Sequence, residues 1–251
     1  MAVSATRLRK SLFTITAFVL LQWPAVAAQA PIQITHCLTF INAPGQYVLA
    51  NDLTNCTYGV VISVADVQLN LAGHRITGSS NASGDGIKTQ SNAARIRIQG
   101  PGVISNFGNG VLLDAGSAEL SAVTCTGNMT GFYVHKGMVR VHDNIATNNM
   151  FGFIMGVGAS GEVRQNLASG NTGDGFVAEG AGGRGGARFM HNTAVFNGRY
   201  GIIAEDRTMQ NEIIGNTALD NATYDLFDGN RTCQNTWADN TFGTSKGPCI
   251  H

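Results

Sequence analysis

Two phrases recur along this chain at nearly constant spacing, and few folds can accommodate such a pattern. The first is Asn-x4-Asn, found at 144/149, 166/171, 192/197 and 216/221, with a frayed last copy beginning at Asn240. Successive first asparagines lie 22, 26, 24 and 24 residues apart. The second is a small residue before an apolar doublet: Gly131-Phe-Tyr, Gly152-Phe-Ile, Gly175-Phe-Val, Gly201-Ile-Ile and Asp225-Leu-Phe, with earlier copies at Gly59, Gly86 and Gly110. A unit of this length cannot bury an apolar face alone and must stack on its neighbours. The apolar residues between the phrases alternate, as in Val67-x-Leu69-x-Leu71, Ile96-x-Ile98 and Val139-x-Val141. That is the period of a strand, not of a helix. The predicted fold class is therefore all-β: a parallel β-helix, or solenoid, of about eight coils. At the ordinary strand spacing of about 4.8 Å it forms a rod of roughly 35–40 Å.

The residues before the repeats read differently. Arg7, Arg9 and Lys10 precede an apolar run from Leu12 to Leu21 and a small-residue stretch at Ala25-Val26-Ala27. This is the pattern of a secretory leader, too short to span a bilayer. The expected organisation is a leader over 1–30, an N-terminal cap over 31–58, repeats over 59–230 and a C-terminal cap over 231–251. The expected location is secreted or periplasmic, with no transmembrane anchor. Removing the leader takes away three basic residues and leaves 13 Lys and Arg against 16 Asp and Glu. Such a balance argues against nucleic acid as a partner, because its binders concentrate positive charge.

Export permits disulfides. Cys37 and Cys56 lie close together before the array, and Cys233 and Cys249 after it, so two terminal staples are expected with Cys125 left free and buried. Other pairings remain open, since spacing alone does not fix connectivity. No cysteine or histidine cluster has metal-ligand spacing, and no metal or cofactor is expected.

The chain resembles the right-handed parallel β-helix proteins of the pectate-lyase-like superfold. The resemblance is carried by Gly45-Gln-Tyr-Val-Leu-Ala-Asn-Asp52-Leu followed by Val64-Ala-Asp66-Val-Gln-Leu-Asn-Leu-Ala-Gly73-His74-Arg-Ile-Thr-Gly78. It implies handedness and action on extracellular polysaccharide. It supplies no catalytic motif: the calcium-binding aspartates of the lyases, the Tyr-Gly-Phe-Asp-Pro-His motif of the mannuronan epimerases and the aspartate pairs of the pectin hydrolases are all missing. Function must be argued from sites.

Stacked asparagines at the turns would hydrogen-bond from coil to coil, which makes the Asn rows a frame rather than a ligand site. In the strand after each turn glycine, positions +1 and +3 point inward: Phe132 and Val134, Phe153 and Met155, Phe176 and Ala178, Ile202 and Ala204. Position +2 then forms an outward apolar stripe, Leu112, Tyr133, Ile154, Val177, Ile203 and Phe227, interrupted at its first turn by Lys88. A stacked stripe of this kind marks a covered face, a subunit interface or a ligand groove. Position +4 on the same face carries Asp114, His135, Gly156, Glu179 and Glu205. Glu179 and Glu205 on adjacent coils would share a proton and suit a retaining glycosidase pair. His135 stands one coil from Asp114. The densest ionisable cluster is Tyr133, His135, Lys136, Arg140 and His142: a Tyr acid, a His base and a cation for a uronate carboxylate. The turn Lys136-Gly137-Met138 decides whether both halves face one groove. The Gly-rich stretch 180–186 reads as a long loop lying as a lip over the outer groove.

Three functions are therefore expected. The leading one is a polysaccharide-binding protein with lyase or C5-epimerase chemistry on an acidic glycan, using Tyr133, His135, Arg140 and His142. The second is a non-catalytic cell-envelope or assembly protein docking a partner, or a second copy, through the apolar stripe. The third is a glycosidase using Glu179 and Glu205.

Overall fold

The computed structural model describes residues 30–79, 84–179 and 186–251. The leader and residues 180–185 of the Gly-rich stretch lie outside the described residues. Strands in parallel register build a β-solenoid of about nine turns. Each full turn contributes one rung to each of three sheets. The first sheet stacks 39–41, 60–62, 87–89, 111–113, 132–134, 153–155, 176–178 and 202–204. The second sheet stacks 67–70, 96–99, 118–121, 139–142, 161–164, 187–190 and 212–214. The third stacks 103–105, 124–126, 145–147, 167–169, 193–195 and 217–219.

Strand alternation fills the interior as expected: Phe132, Val134, Phe153, Met155, Phe176, Ala178, Ile202 and Ala204 all belong to the core. Like residues stack at strand spacing. The Phe132 and Phe153 rings lie 4.6 Å apart and those of Phe153 and Phe176 4.8 Å apart, nearly parallel in both pairs. Both staples form, Cys37–Cys56 and Cys233–Cys249, and Cys125 is free and buried.

The asparagines form two buried ladders. In one, the Asn166 Oδ1 accepts from the Asn144 N–H and Nδ2 at 2.9 and 3.0 Å, and the pattern continues through Asn192, Asn216 and Asn240. The other runs Asn128, Asn149, Asn171, Asn197, Asn221. Each amide thus satisfies backbone groups that the corner would otherwise bury unpaired. The left-handed backbone at these corners falls not on the ladder asparagines but on the residues just before them: Asp143, Gln165, His191 and Asp220 all have φ near 55°. Asp225 ends the second ladder. Its carboxylate accepts from Asn221 N and Nδ2 and from the Gly243 and Thr244 amides, where no further coil offers an amide oxygen.

The turn glycines are explained by crowding rather than by φ. A Cβ on Gly152 would sit 2.4 Å from the Gly175 carbonyl oxygen and 3.1 Å from the Ala168 Cβ. The Gly-apolar phrase and the Asn-x-Ala phrase therefore fit together: one omits the side chain that the other's alanine and ladder amide leave no room for.

Candidate functional site

The stripe residues Leu112, Tyr133, Ile154, Val177, Ile203 and Phe227 stack in one continuous register on the outer side of the first sheet. The stripe is less open than its sequence implies. Ile154, Val177 and Ile203 are only 8%, 3% and 5% exposed and form a second small apolar cluster, onto which Tyr133, Phe151, Tyr200 and Phe227 pack. These aromatic rings take up most of the apolar surface that a partner would otherwise cover.

On this floor stand the acidic residues. The Tyr133 hydroxyl lies 3.5 Å from Glu179 Oε2, two coils away. Gly156 makes that reach feasible: a Cβ there would come within 3.2 Å of the Tyr133 ring. Glu205 occupies the next coil, in the register that pairs Ala178 with Ala204. Burial, and next the charge of Glu205, push the Glu179 carboxyl above its usual range, while the Tyr133 hydrogen bond and His135 pull it back. Burial, and then the neighbouring Glu179 charge, raise the Tyr133 phenol. Glu179 is thus biased toward holding a proton beside an acidic neighbour.

On the same apolar cluster packs an aromatic platform, of which the sequence reading named only Phe227. The Tyr200 and Phe227 rings stack at 4.7 Å, and Tyr224 joins them at 6.3–6.4 Å. Arg199 lies over Tyr200, and Lys246 over Tyr224 and Phe227. Arg199 is held by the fully buried Asp174. The signal was present one residue before the turn position in three coils, where Phe151 precedes Gly152, Tyr200 precedes Gly201 and Tyr224 precedes Asp225.

His135 and Asp114 meet at 3.3 Å, but a bulge after Val134 sets Asp114 opposite Lys136, which approaches the same carboxylate oxygen at 3.1 Å. The expected straight row from Asp114 to His135 and Gly156 is broken at that point. The larger correction concerns the five-residue cluster. Thr130–His142 is a single strand that turns a corner at Gly137, where φ is +102°. Tyr133 pairs within the first sheet, whereas Arg140 and His142 pair within the second. Tyr133 and His135 stay together, with rings 5.9 Å apart, but Arg140 and His142 serve a different face, so the Arg140 cation of the expected set does not join its Tyr and His. His142 is already engaged, with Nδ1 2.7 Å from Asp143 and Nε2 3.4 Å from Glu119.

No donor set among the described residues suits a metal. No three His, Cys, Asp or Glu side chains converge on one point. Four cysteines are in disulfides, and burial raises the Cys125 thiol. The exposed thioethers Met129 and Met150 share a corner on successive coils, where Gly108 and Gly173 lie alongside. Soft copper ions favour thiolate, thioether and imidazole ligands gathered together, and these two thioethers are flanked in register by glycines rather than by a Cys or His.

No helix among the described residues is long and apolar enough to cross a membrane. Neither the curated proteins nor the solved structures include a match to the chain. One protein-family model does match, over residues 70–248, and it is described as periplasmic copper-binding protein (NosD). That span takes in most of the coils and the whole outer face built on them. The chain belongs to the NosD family of periplasmic right-handed parallel β-helix proteins.

Proposed function

We propose that this periplasmic protein binds a glycan along the outer face of its first sheet, with the sugar rings resting on the Tyr200, Tyr224 and Phe227 platform and their hydroxyls donating to Glu179 and Glu205. The observation that carries this reading is the juxtaposition of a stacked aromatic shelf with a raised-pKa carboxyl on a closed apolar floor. Flat, partly buried rings offer apolar area at low entropic cost, and carboxylates orient polyols. The acidic centre favours neutral or amino sugars. Uronate chains would meet Glu179 and Glu205 while Arg140 stands on another face, so the acidic-glycan lyase and epimerase chemistry loses its support. The family's description would bring copper, but the donor chemistry of this chain does not fit it, and no step is assigned to that ion.

Titration calorimetry with chito-oligosaccharides, β-glucan oligomers and oligouronates tests the proposal. Neutral or amino-sugar oligomers should bind, and Tyr200→Ala or Phe227→Ala should weaken binding roughly 10- to 30-fold, the loss typical of a buried aromatic anchor. Binding of oligouronates alone, or equal binding by both variants, would refute it.

The raised Glu179 carboxyl favours one chemical extension. Side chains on adjacent coils are separated by about 5 Å, the spacing of retaining glycosidases. Glu179 would protonate the leaving glycosidic oxygen while Glu205 attacks the anomeric carbon, and water would then release the sugar from Glu205. Reducing-end release that is abolished in Glu179→Gln supports this; intact oligomers after prolonged incubation leave binding alone.

A further inference from the structure

On the outer side of the second sheet, six consecutive coils present Arg97, Glu119, Arg140, Glu162, Arg188 and Glu212 in unbroken register. The charge alternates at every step, and the row is flanked by the uncharged Gln68 and Thr236. Opposite charges on neighbouring strands stabilise the pairing of those strands, which accounts for part of the pattern. Arg97 meets Glu119 at 2.9 Å and Arg188 meets Glu212 at 2.7 Å. The two central members do not follow suit. Glu162 turns along its own strand to Arg164 at 3.0 Å, and Arg140, exposed, has no carboxylate within ion-pair distance among the described residues.

An alternating row with an even number of members is its own complement when reversed. Read from the other end, positive falls on negative at every position. The twofold passes between Arg140 and Glu162, so the unpaired cation of each copy meets the other copy's Glu162. The surface also has the relief this requires. Along the charged ridge runs a shallow groove of about 710 Å³, lined by the ridge residues from Arg97 to Arg188 together with Arg95, Ser117, Met138 and Gly161. Two copies turned antiparallel set each ridge into the other's groove. From this we infer that the second-sheet face is an isologous dimer interface between two copies of this chain, with Arg140 and Glu162 at its centre. It is distinct from the apolar stripe, which lies on the first sheet and is largely closed. Six rungs span about 24 Å, so the contact is small, polar and sensitive to salt.

Sedimentation equilibrium of the intact mature protein in low and high salt tests this. A monomer–dimer equilibrium in about 20 mM salt should shift at least tenfold toward monomer near 500 mM, as screening over a shorter Debye length requires. Arg140→Glu sets two like-charged pairs at the twofold and should abolish the dimer. The double reversal Arg140→Glu with Glu162→Arg re-creates the complement and should restore it, without mixing with wild-type chains. If Arg140→Glu does not fold, Arg140→Gln and Glu162→Gln, which only remove charge, should each weaken dimerisation. A monomer under all conditions, a dimer indifferent to salt or to Arg140→Glu, or a folded double reversal that stays monomeric would overturn the inference.

Discussion

Replacing Asn166 by alanine isolates what one ladder amide contributes. The substitution removes the oxygen that accepts from the Asn144 N–H at 2.9 Å and from Asn144 Nδ2 at 3.0 Å. Asn166 is itself only 2% exposed, so removing its side chain opens no path by which water could reach Asn144. Asn144 Nδ2 keeps the Leu120 carbonyl at 3.1 Å, but its backbone N–H is left without a partner. The Val141 and Arg164 carbonyls each lose a donor at 2.9 Å, whereas Asn192 Oδ1 still receives the residue-166 N–H at 3.0 Å. One orphaned buried donor costs about 1–3 kcal/mol, and each further lost bond about 1 kcal/mol or less. The expected total is about 2–4 kcal/mol. Asn240, at the ladder's end, makes the same bonds to Asn216 but is partly exposed, so water can replace it and the cost should fall to about 1 kcal/mol. Urea unfolding followed by circular dichroism measures both, with the m-value checking that cooperativity is unchanged. Equal losses at the two positions would refute burial as the source of the ladder's strength, and a loss below about 0.5 kcal/mol at Asn166 would refute the ladder itself.

Three other outcomes follow from the same geometry. Because the folded Glu179 carboxyl titrates above its unfolded value, stability should decline as pH rises through the interval between the two; Glu179→Gln should flatten that decline in a pH series of melting temperatures. Asp225 behaves oppositely. Burial alone would raise its carboxyl, but the Asn221, Thr244 and Gly243 hydrogen bonds outweigh burial and lower it, so its contribution is present above its unfolded value and lost on acidification. Asp225→Asn should remove that acid sensitivity, again read by melting against pH. Gly152→Ala forces a Cβ to 2.4 Å from a backbone oxygen and should cost about 1–3 kcal/mol, whereas Gly116→Ala, whose nearest contacts are at 3.6 Å, should be close to neutral in the same assay.

The architecture was legible because each repeat states its own geometry. The Asn-x4-Asn spacing marks two corners per turn, the Gly-apolar phrase opens the strand that follows the second of them, and alternation assigns Phe132, Phe153 and Phe176 to the interior; the third corner, at Gly137 and Gly161, carries no such phrase. The positions of Cys37, Cys56, Cys233 and Cys249 relative to the array point to the two staples that form, although spacing alone leaves other pairings open. What the spacing could not convey was the direction of the chain between Val134 and Val139. One bulge and one positive-φ glycine there separate Tyr133 from Arg140, although only seven residues divide them in sequence. The aromatic platform escaped for another reason. Tyr200 and Tyr224 share one row, but Phe227 belongs to the stripe two positions further on, so no single repeat row contains all three. They meet because their rings lean across the rows.

The same reasoning locates where a protein of this kind can hold chemistry at all. Interior positions are filled by stacked side chains, and the corner amides spend their hydrogen bonds on neighbouring coils, so neither can change without disturbing the adjacent turns. Outward rows are free, but a perfect repeat makes them uniform, and a uniform row recognises nothing in particular. Distinct groups come together only where the repeat departs from itself. Gly156 supplies no side chain on the coil between Tyr133 and Glu179, and through that gap the Tyr133 hydroxyl passes one coil to approach Glu179. Filling the gap would push the ring away and leave three ordinary rungs. The proposed site therefore depends on the exception at Gly156, and the ladders hold Tyr133 and Glu179 on either side of it.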